Sequence, residues 1–492
     1  MNIVDPHRHA EAARELPTET LLIGGERLRN GSGAAFNHVN PATGQVQYEM
    51  RLAGAADVDR AVKVARGAFT GWRLTKPSRR AEILTRLCDL VARDKDRLAL
   101  LSSLENGMPS RQFTGRQLGI VQAWLRYYAG MADKLEGHVT AAWPAENLEY
   151  TLPEPLGVVA AIIPWNAPVI SLAMKLPAAL AAGNCVVVKP AEHTPFTSAH
   201  FAQLALEAGL PEGVLQVLPG AAEAGEALVR HPDIAKVSFT GGPLAARRVM
   251  AACAETLKPA LFELGGKSAN ILFDDADLKA AIPYCAAFPM NNAGQGCQLP
   301  TRLLVHAPIY DAVVEGVRQT IAHLKVGDPL ADDTFMGPVV SEAAMGRILG
   351  DIGRAKDDRA GRLLCGGARL EAPGWFVEPT VFADVDPASA LAQTELFGPV
   401  LSIIRFQDEA EAVAIANGTP WGLAGYVQTR DLGRAHRVAA SLTCGNVYIN
   451  GAMNVHPAAP FGGVGLSGFG KEGGRAGIEE FVRQKGVAVA LG

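Results

Sequence analysis

The sequence predicts an α/β protein with two parallel sheets, each covered by helices, and a separate β-ribbon. The first observation is that short apolar runs alternate with helical stretches from residue 156 onward, which is typical of a parallel sheet buried on both faces. The second is that the same style returns over residues 268–460, which indicates a second domain with its own sheet. The third is the stretch 137–155, which looks like a ribbon with no obvious core of its own.

Composition supports a soluble globular protein. The chain has 492 residues, 48% hydrophobic and 20% charged, which is long enough for two or three domains with large cores. The net charge of −4 without a basic block gives no indication of nucleic-acid binding. The longest apolar runs, such as residues 156–163, are too short for a membrane span, and residues 1–17 hold no apolar signal core. We expect a cytoplasmic protein.

The cysteines and histidines argue against structural or catalytic metal sites. The seven cysteines are scattered, odd in number and without a Cys-x-x-Cys pair, which fits a reducing compartment and not a disulfide framework. The eleven histidines show no HExxH or other ligand spacing. No metal is therefore expected.

The first part of the chain is predicted to hold hairpins, helices and then the ribbon. Residues 21–53 alternate apolar and turn residues, and residues 57–134 carry apolar stripes at helical spacing. The ribbon is predicted over 139–143, the stretch around Trp143, and over 149–152, with Pro153 and Pro155 ending it.

The two sheets are predicted from apolar runs that alternate with helical patterns. The strands of the first sheet are predicted over 158–163, 186–189, 215–218 and 237–239, and its helices over 169–182, 196–208, 222–230 and 244–254. Strands of the second sheet are predicted over 271–273, 302–305, 401–404 and 445–450. The apolar end, residues 487–491, is expected to be a strand that could add to a partner's sheet.

One thiol and one carboxylate are the strongest chemical candidates. Cys297 lies in the small, glycine-rich stretch 292–298, and Glu263 lies next to the paired glycines Gly265 and Gly266. A thiolate that a substrate can approach, together with a carboxylate, is typical of covalent catalysis with a general base. A buried core cysteine and a surface glutamate are the alternative, since free cysteine is usually a small buried hydrophobe.

Polar or glycine-rich motifs follow the strands of the first predicted sheet. They are Pro164-Trp165-Asn166, Lys189-Pro190-Ala191-Glu192, Thr240-Gly241-Gly242 and Glu263-Leu264-Gly265-Gly266. Ligands of such sheets bind at the carboxyl ends of the strands, so a dinucleotide could lie across these motifs. The usual G-x-G-x-x-G fingerprint is not present, and Gly241-Gly242 before a helix is a weak phosphate signal on its own.

Together these motifs resemble the aldehyde dehydrogenase superfamily, in its NAD(P)-dependent, non-acylating form. The resemblance extends from about residue 20 to the C-terminus, and the motifs occur in the order of the family. The matching motifs are Pro164-Trp165-Asn166, Lys189-Pro190-Ala191-Glu192, Phe239-Thr240-Gly241, Glu263-Leu264-Gly265-Gly266-Lys267, Gly294-Gln295-Gly296-Cys297, Glu395-Leu396-Phe397-Gly398-Pro399, Asn450 and Pro460-Phe461-Gly462-Gly463.

The resemblance implies a domain organisation. It implies a Rossmann-type NAD-binding domain formed by residues 1–136 and 156–265 and an α/β catalytic domain over 266–462. Residues 137–155 and 463–492 would be oligomerisation or bridging segments, with the ribbon as the oligomerisation arm of a homodimer or homotetramer.

The resemblance also implies roles for three residues in the oxidation of a small-molecule aldehyde. Cys297 would attack the aldehyde, and the Asn166 amide with the Cys297 backbone N–H would stabilise the oxyanion. Loss of hydride to the nicotinamide would leave a thioester, and Glu263 would activate the water that hydrolyses it. Acylating relatives that use coenzyme A generally lack this glutamate, so its presence favours a free acid product.

The implied cofactor is NAD rather than NADP. Glu192 matches the family carboxylate that binds the adenosine ribose hydroxyls and repels a 2′-phosphate, and Glu395 and Phe397 would hold the nicotinamide ribose and ring. The implied cofactor-binding residues are Ile162, Ile163, Pro164, Trp165, Lys189, Glu192, Gly225, Thr240, Gly241, Gly242, Leu264, Glu395 and Phe397.

Three positions depart from the family pattern near the cofactor. The phosphate turn usually reads Gly-Ser and ends with a glycine, but here Gly242 and Ala246 stand at those places. Ala221 stands where many members have glycine. Backbone N–H groups must therefore bind the pyrophosphate without a serine hydroxyl.

The substrate pocket implied by the family pattern is mostly apolar and carries no charge. Its residues would be Met174, Gly296, Gln298, Met453, Val455 and Phe461. Many succinic-semialdehyde members have arginine at the place of Met174, so we expect a neutral, hydrophobic aldehyde, aliphatic or aromatic. The alternatives are a semialdehyde dehydrogenase of a catabolic pathway, a cofactor-independent thiol esterase and a catalytically silent structural member.

Overall fold

The computed structural model describes residues 3–140, 147–451 and 455–491. Its first part contains two hairpins and the predicted helices. In chain order the elements are α1 (Pro6–Ala12), β1 (Leu21–Ile23), β2 (Glu26–Leu28), β3 (Ala35–Val39), β4 (Val46–Arg51), α2 (Ala55–Arg73), α3 (Pro77–Arg93), α4 (Lys95–Asn106), α5 (Ser110–Gln112), a π turn (Phe113–Gln117), α6 (Leu118–Met131), β5 (Val139–Thr140) and β6 (Asn147–Pro155). The apolar stripes of α2 and α3 are buried, including Cys88.

The next part alternates strands and helices, as predicted. Its elements are β7 (Val158–Ile162), α7 (Pro168–Ala181), β8 (Cys185–Lys189), α8 (Pro195–Glu207), β9 (Leu215–Val217), α9 (Ala222–Arg230), β10 (Ile234–Thr240), α10 (Pro243–Ala254) and β11 (Ala260–Glu263). Strands β7 to β9 are buried along their whole length, which explains their continuous apolar sequences.

The last part repeats this alternation and ends in a long strand. Its elements are β12 (Ala269–Leu272), α11 (Leu278–Ala287), a 3₁₀ segment (Phe288–Gly294), β13 (Arg302–His306), α12 (Tyr310–Ala322), α13 (Glu342–Asp357), β14 (Arg362–Cys365), β15 (Thr380–Ala383), α14 (Ala390–Gln393), β16 (Val400–Phe406), α15 (Glu409–Asn417), β17 (Trp421–Gly422), β18 (Ala424–Gln428), α16 (Leu432–Ser441), β19 (Asn446–Ile449), β20 (Val464–Gly465), β21 (Gly468–Phe469), α17 (Gly474–Glu479) and β22 (Val482–Ala490).

Two large sheets form the body of the molecule. The first has eight strands in the order β2-β1-β9-β8-β7-β10-β11-β21, and its central strands are parallel. The second has seven strands in the order β14-β15-β16-β13-β12-β18-β19, parallel except at β14. Each sheet has its own cluster of buried apolar side chains. The fold is therefore the predicted α/β arrangement with two sheets.

The predicted ribbon is a three-stranded sheet in the order β22-β6-β5. The prediction that Pro153 breaks the strand is wrong, because β6 continues through it and stays paired with β22, and the strand ends at Pro155. The N–H of Thr151 points toward the β5 side, where it bonds to the His138 carbonyl. Pro153 and Pro155 share that direction, and β5 does not extend to them, so no ladder hydrogen bond is lost.

The C-terminal strand pairs inside its own chain. All nine residues of β22 are in register with β6, so one edge of the C-terminal strand is covered without a partner subunit. The predicted ribbon residue Trp143 lies outside the described residues. Among the residues described, no helix combines the length and apolarity that crossing a membrane requires.

Candidate active site

The loop that carries Cys297 is fixed by unusual backbone conformations. Asn292 and Ala293 have φ values of 48° and 52°, and Gly294 follows with 72°. A Cβ atom on Gly294 would overlap the Gly398 carbonyl, so only glycine allows this loop to pack under the loop after α14. Left-handed conformations at residues other than glycine are typical of functional sites, where surrounding structure holds them.

Glu263 ends strand β11, and the paired glycines that follow bring it against the Cys297 loop. A Cβ on Gly266 would lie 2.6 Å from the Cys297 carbonyl oxygen, and one on Gly265 would overlap the Glu395 carboxylate. The Glu263 side chain is 4% exposed, and the Cys297 thiol lies against its carboxylate. The alternative of a surface glutamate is therefore wrong.

Burial keeps both groups neutral at pH 7. Burial first, and then the nearby charge of Glu472, raises the pKa of Glu263 to about 8. Burial, followed by the Glu263 charge, raises the pKa of the Cys297 thiol. The Glu263 Oε1 atom accepts no hydrogen bond from any residue that the structure describes. An unsatisfied buried carboxyl oxygen next to a thiol is positioned to accept a proton.

Two buried charges beside Glu263 were not predicted. The Lys175 ammonium forms an ion pair with Glu472 and donates a hydrogen bond of 2.9 Å to Ser238 Oγ. Lys175 lies on α7 and Glu472 lies near the C-terminus, so no local sequence signal connects them.

The Asn166 side chain faces the Cys297 loop from the turn between β7 and α7. Its Nδ2 donates to the Gln295 carbonyl at 3.0 Å. The Asn166 carbonyl accepts from Asn292 Nδ2 at 2.9 Å, and Asn106 Nδ2 donates to the Trp165 carbonyl at 3.0 Å. Asn106 and Asn292 were not predicted; they fix the turn that carries Asn166.

One cavity of about 330 Å³ brings the three catalytic candidates together. Its wall also includes most of the predicted substrate-pocket positions. Those residues are Met174, Gly296, Gln298, Val455 and Phe461, while Met453 lies outside the described residues. Phe288, Leu299, Ile120 and Ile170 add further apolar surface.

The expectation that this wall carries no charge is wrong. Arg111 and Arg116 line the same cavity. They come from the segment between α4 and α6, whereas the prediction considered only positions on α7, beside the thiol and over 453–461. Glu472 also lines the cavity, but it is paired with Lys175.

The predicted cofactor residues of the first sheet lie at one edge. Ile162 ends β7 and is followed by Ile163 and Pro164. Lys189 ends β8, with Glu192 in the following loop. Lys189 bonds to the Gly220 carbonyl, and burial lowers its pKa to about 8 against the opposing charge of Glu192. Gly225 on α9 lies across from it, since its Cβ would be 3.6 Å from the Lys189 side chain.

The turn before α10 offers space and N–H groups for a phosphate. Thr240 ends β10 in register with Glu263, and Gly241 and Gly242 lead into the helix. A Cβ on Gly242 would meet no atom of the described residues within 4 Å. The Gly241 N–H already donates to the Glu263 carbonyl at 3.2 Å, so the backbone N–H groups that fit a pyrophosphate here are those from Gly242 into the first turn of α10.

The other predicted cofactor residues lie between this edge and the thiol. Trp165 and Phe397 form an edge-to-face pair with centroids 5.4 Å apart, and Phe397 has a φ of 53°. Glu395 accepts a hydrogen bond of 3.0 Å from the Gly266 N–H, and burial raises its pKa to about 7. Leu264 is buried beside Glu263.

All seven cysteines carry free thiols. Cys297 keeps partial access through the cavity, whereas Cys88, Cys185, Cys253 and Cys285 are buried. Within the described ranges, no three His, Cys, Asp or Glu side chains gather closely enough to hold a metal ion.

Comparison with known proteins gives consistent matches over nearly the whole chain. The model of the aldehyde dehydrogenase family matches residues 28–487. An aldehyde dehydrogenase of Emericella nidulans is 42% identical over 96% of this chain and 95% of its own. A betaine aldehyde dehydrogenase of Cereibacter sphaeroides is 40% identical over 97% of this chain and 99% of its own.

A solved structure of an aldehyde dehydrogenase is also similar over its whole length. The NAD⁺ complex of an aldehyde dehydrogenase from Bacillus cereus superposes with a TM-score of 0.94 at 37% identity, covering 100% of both chains. Sequence and fold agree over the full length of the relatives. The chain therefore belongs to the aldehyde dehydrogenase family.

Proposed function

We propose that this chain oxidises an aldehyde to the free carboxylic acid with NAD, through a thioester on Cys297. The observation that carries the proposal is the convergence of the Cys297 thiol, the Glu263 carboxyl and the Asn166 amide on one cavity. Family membership supports the reaction class, and the Bacillus cereus relative is described as an NAD⁺ complex.

The residues at the sheet edge fit NAD. Glu192 and Lys189 would bind the adenosine ribose. The turn of Gly241 and Gly242 would bind the pyrophosphate through the N–H groups from Gly242 onward, because the Gly241 N–H donates to the Glu263 carbonyl. Glu395 and Phe397 would bind the nicotinamide ribose and ring. The other contacts carried over from the family motifs are Ile162, Ile163, Pro164, Trp165, Gly225, Thr240 and Leu264. When bound, NAD accepts the hydride that leaves the substrate carbon.

The first step is attack by sulfur on the aldehyde carbon. Because burial raises the pKa of the thiol, its proton must move as the S–C bond forms. Glu263 lies against the thiol, and its ionised form, which is the minor form below a pKa of about 8, accepts that proton. The carbonyl π electrons move to oxygen, which gives a thiohemiacetal anion.

The Asn166 amide and the Cys297 backbone N–H stabilise the developing oxyanion. Both donors are fixed before the reaction. The turn that carries Asn166 is held by Asn292, which donates to the Asn166 carbonyl, and by Asn106, which donates to the Trp165 carbonyl. Donors already in place cost no reorganisation in the transition state. Collapse of the oxyanion expels hydride and leaves a thioester on Cys297.

Glu263 then acts a second time, in hydrolysis. Glu263 first releases the thiol proton to solvent. It then takes a proton from water as the C–O bond forms and the C–S bond breaks, which releases the acid and returns the thiolate, and Glu263 returns its proton to that thiolate. Aldehyde, NAD⁺ and water thus give acid, NADH and a proton. The apolar wall formed by Met174, Val455 and Phe461 supports a hydrophobic body, aliphatic or aromatic, on the substrate.

Mixing the protein with NAD and an aldehyde tests the proposal. We expect NADH absorbance to rise in proportion to the acid formed. A cofactor-independent thiol esterase would instead cleave an activated ester at full rate without NAD and form no NADH from aldehydes. A catalytically silent structural member would neither cleave the ester nor form NADH.

We expect NAD to be preferred over NADP, because the Glu192 carboxylate repels a 2′-phosphate. The ratio of kcat/KM for the two cofactors should be at least about tenfold in favour of NAD, and Glu192→Gln should narrow it. Glu212→Gln, at an exposed loop position, serves as the control and should leave the ratio unchanged. A higher kcat/KM with NADP in the unmodified protein would refute this assignment.

We propose that the chain forms homodimers or homotetramers in the cytoplasm through the β22-β6-β5 sheet. This sheet exposes apolar side chains, including Val139 at 74%, Leu152 at 43% and Val489 at 42%. Residues 137–155 and 463–492 would then be the assembly segments, beside an NAD-binding domain of 1–136 and 156–265 and a catalytic domain of 266–462. Light scattering should give a dimer or tetramer mass, and a monomer at micromolar concentration would contradict the assembly.

A further inference from the structure

Two arginines enter the substrate cavity from one irregular helix turn. Arg111 lies on α5 and Arg116 in the π turn that joins α5 to α6. The π turn closes with a hydrogen bond from the Leu118 N–H to the Phe113 carbonyl, one residue longer than an α turn. Arg111 and Arg116 are five positions apart, and both line the cavity. Such π turns occur frequently at functional sites.

Arg116 shares the cavity wall with Cys297, the reacting thiol. Its guanidinium is 5.2 Å from the centre of the Phe288 ring, and it interacts with the Tyr284 and Tyr426 hydroxyl groups. The Tyr426 hydroxyl in turn donates a hydrogen bond of 3.0 Å to the carbonyl of Gln298, the residue directly after Cys297. Arg116 is therefore placed to contact the far end of a short substrate whose aldehyde lies at Cys297.

Arg111 and Arg116 bring positive charge to the cavity wall. Glu472 is neutralised by Lys175, and Glu263 is mostly protonated at pH 7 because its pKa is about 8. Arg111 interacts electrostatically with Asp333, which forms an ion pair with Lys325. Burial lowers the pKa of Arg116, but a guanidinium remains charged in proteins.

We propose that Arg116, with Arg111 at the solvent end of the cavity, binds a carboxylate at the far end of the substrate. The preferred substrate is then a semialdehyde, an aldehyde with a hydrophobic body and a terminal carboxylate. A guanidinium binds a carboxylate through paired hydrogen bonds, and partial burial strengthens the attraction. This inference rests on the proposed aldehyde oxidation.

The arginine expected at Met174 is not needed for such a site. Met174 lies on α7, and its wall of the cavity is apolar, whereas the guanidinium groups come from the segment before α6. The same charge disfavours a quaternary ammonium aldehyde. The chain should therefore differ from its relative named betaine aldehyde dehydrogenase, although the two are 40% identical.

Matched aldehydes test the inference. The rates with NAD are compared for para-formylbenzoate, para-formylbenzamide and para-formylphenyltrimethylammonium, which share one body and differ in charge. A second series uses flexible ω-oxo carboxylates of increasing chain length, each compared with its amide. This series includes substrates long enough to place the carboxylate at Arg116 while the aldehyde lies at Cys297. We expect the best carboxylate to exceed its amide in kcat/KM by about tenfold or more, and the ammonium compound to be the poorest.

Variants assign the preference to the arginines. Arg116→Met should lower kcat/KM for the carboxylate by about tenfold, mainly through KM, and change the amide little, while Arg116→Lys should restore part of the loss. Arg111→Met should show a smaller effect in the same direction. Arg126→Met, on the exposed side of α6, is the control for losing an arginine from this helix.

The outcomes separate this inference from the proposed function. NADH formation from amides at rates equal to or above those from every carboxylate would overturn the arginine site and leave aldehyde oxidation intact. Equal losses for carboxylate and amide in Arg116→Met and Arg111→Met would also overturn it, since a purely structural role lowers both. No NADH from any aldehyde would instead refute the proposed function.

Discussion

Replacing Cys297 by alanine should abolish NADH formation from every aldehyde, with a loss of at least about 10⁴-fold in kcat. The thiol is the nucleophile that attacks the aldehyde, and alanine leaves nothing to form the thiohemiacetal from which hydride departs. The measurement is the rate of NADH absorbance at saturating NAD and aldehyde. NAD binding, measured by the quenching of protein fluorescence, should be retained, because the proposed cofactor contacts are made by other residues.

Cys365→Ala is the matched control for that loss. Cys365 is also a half-buried free thiol, but it lies on β14 at the edge of the second sheet. This variant should keep nearly full activity. Substantial turnover in Cys297→Ala, or an equal loss in both variants, would remove Cys297 from its role.

Glu263→Gln should slow thioester hydrolysis by about 10²–10⁴-fold while hydride transfer remains much faster. Glutamine fills the same space but accepts no proton from water. Rapid mixing should therefore reveal a burst of NADH, close to one per active site, followed by slow turnover. Glu255→Gln, at an exposed position after α10, should behave like the unmodified protein. The absence of a burst, with an equally slow first step, would contradict the assignment.

The same carboxyl should govern the pH dependence of hydrolysis. Because burial raises the pKa of Glu263 to about 8, the group is protonated below that pH and cannot accept a proton. Steady-state turnover limited by hydrolysis should rise as the pH increases from 6 through 8, by up to about tenfold per unit below the pKa. In Glu263→Gln this rise should disappear. A turnover that falls as the pH rises from 6 through 8 would contradict the role of Glu263 as the base in hydrolysis.

The sequence was sufficient to predict most of the architecture. Strands such as β7 and β8 are buried on both faces, so their continuous apolar runs are unambiguous, and their helices follow at regular intervals. The catalytic candidates were predictable for a related reason. Cys297 and Glu263 stand beside glycines that the close packing of two loops requires, as at Gly294 and Gly266.

What the sequence did not predict depends on contacts between distant segments. The Lys175–Glu472 pair joins α7 to the C-terminal part, and Asn106 reaches the Trp165 turn from the end of α4. The arginines were missed because a π turn leaves no clear mark in the hydrophobic pattern. Pro153 was misread because the pattern does not tell which side of a strand is open.

In the proposed mechanism, an acyl group forms on the sulfur of Cys297 and stays bound until Glu263 activates the water that hydrolyses the thioester. Mass spectrometry of Glu263→Gln, quenched in acid seconds after mixing with NAD and aldehyde, measures this directly. We predict that the peptide containing Cys297 gains the mass of the acyl group less the displaced thiol proton, only when NAD is present. An unmodified Cys297 peptide at a time when NADH has already formed would contradict the account.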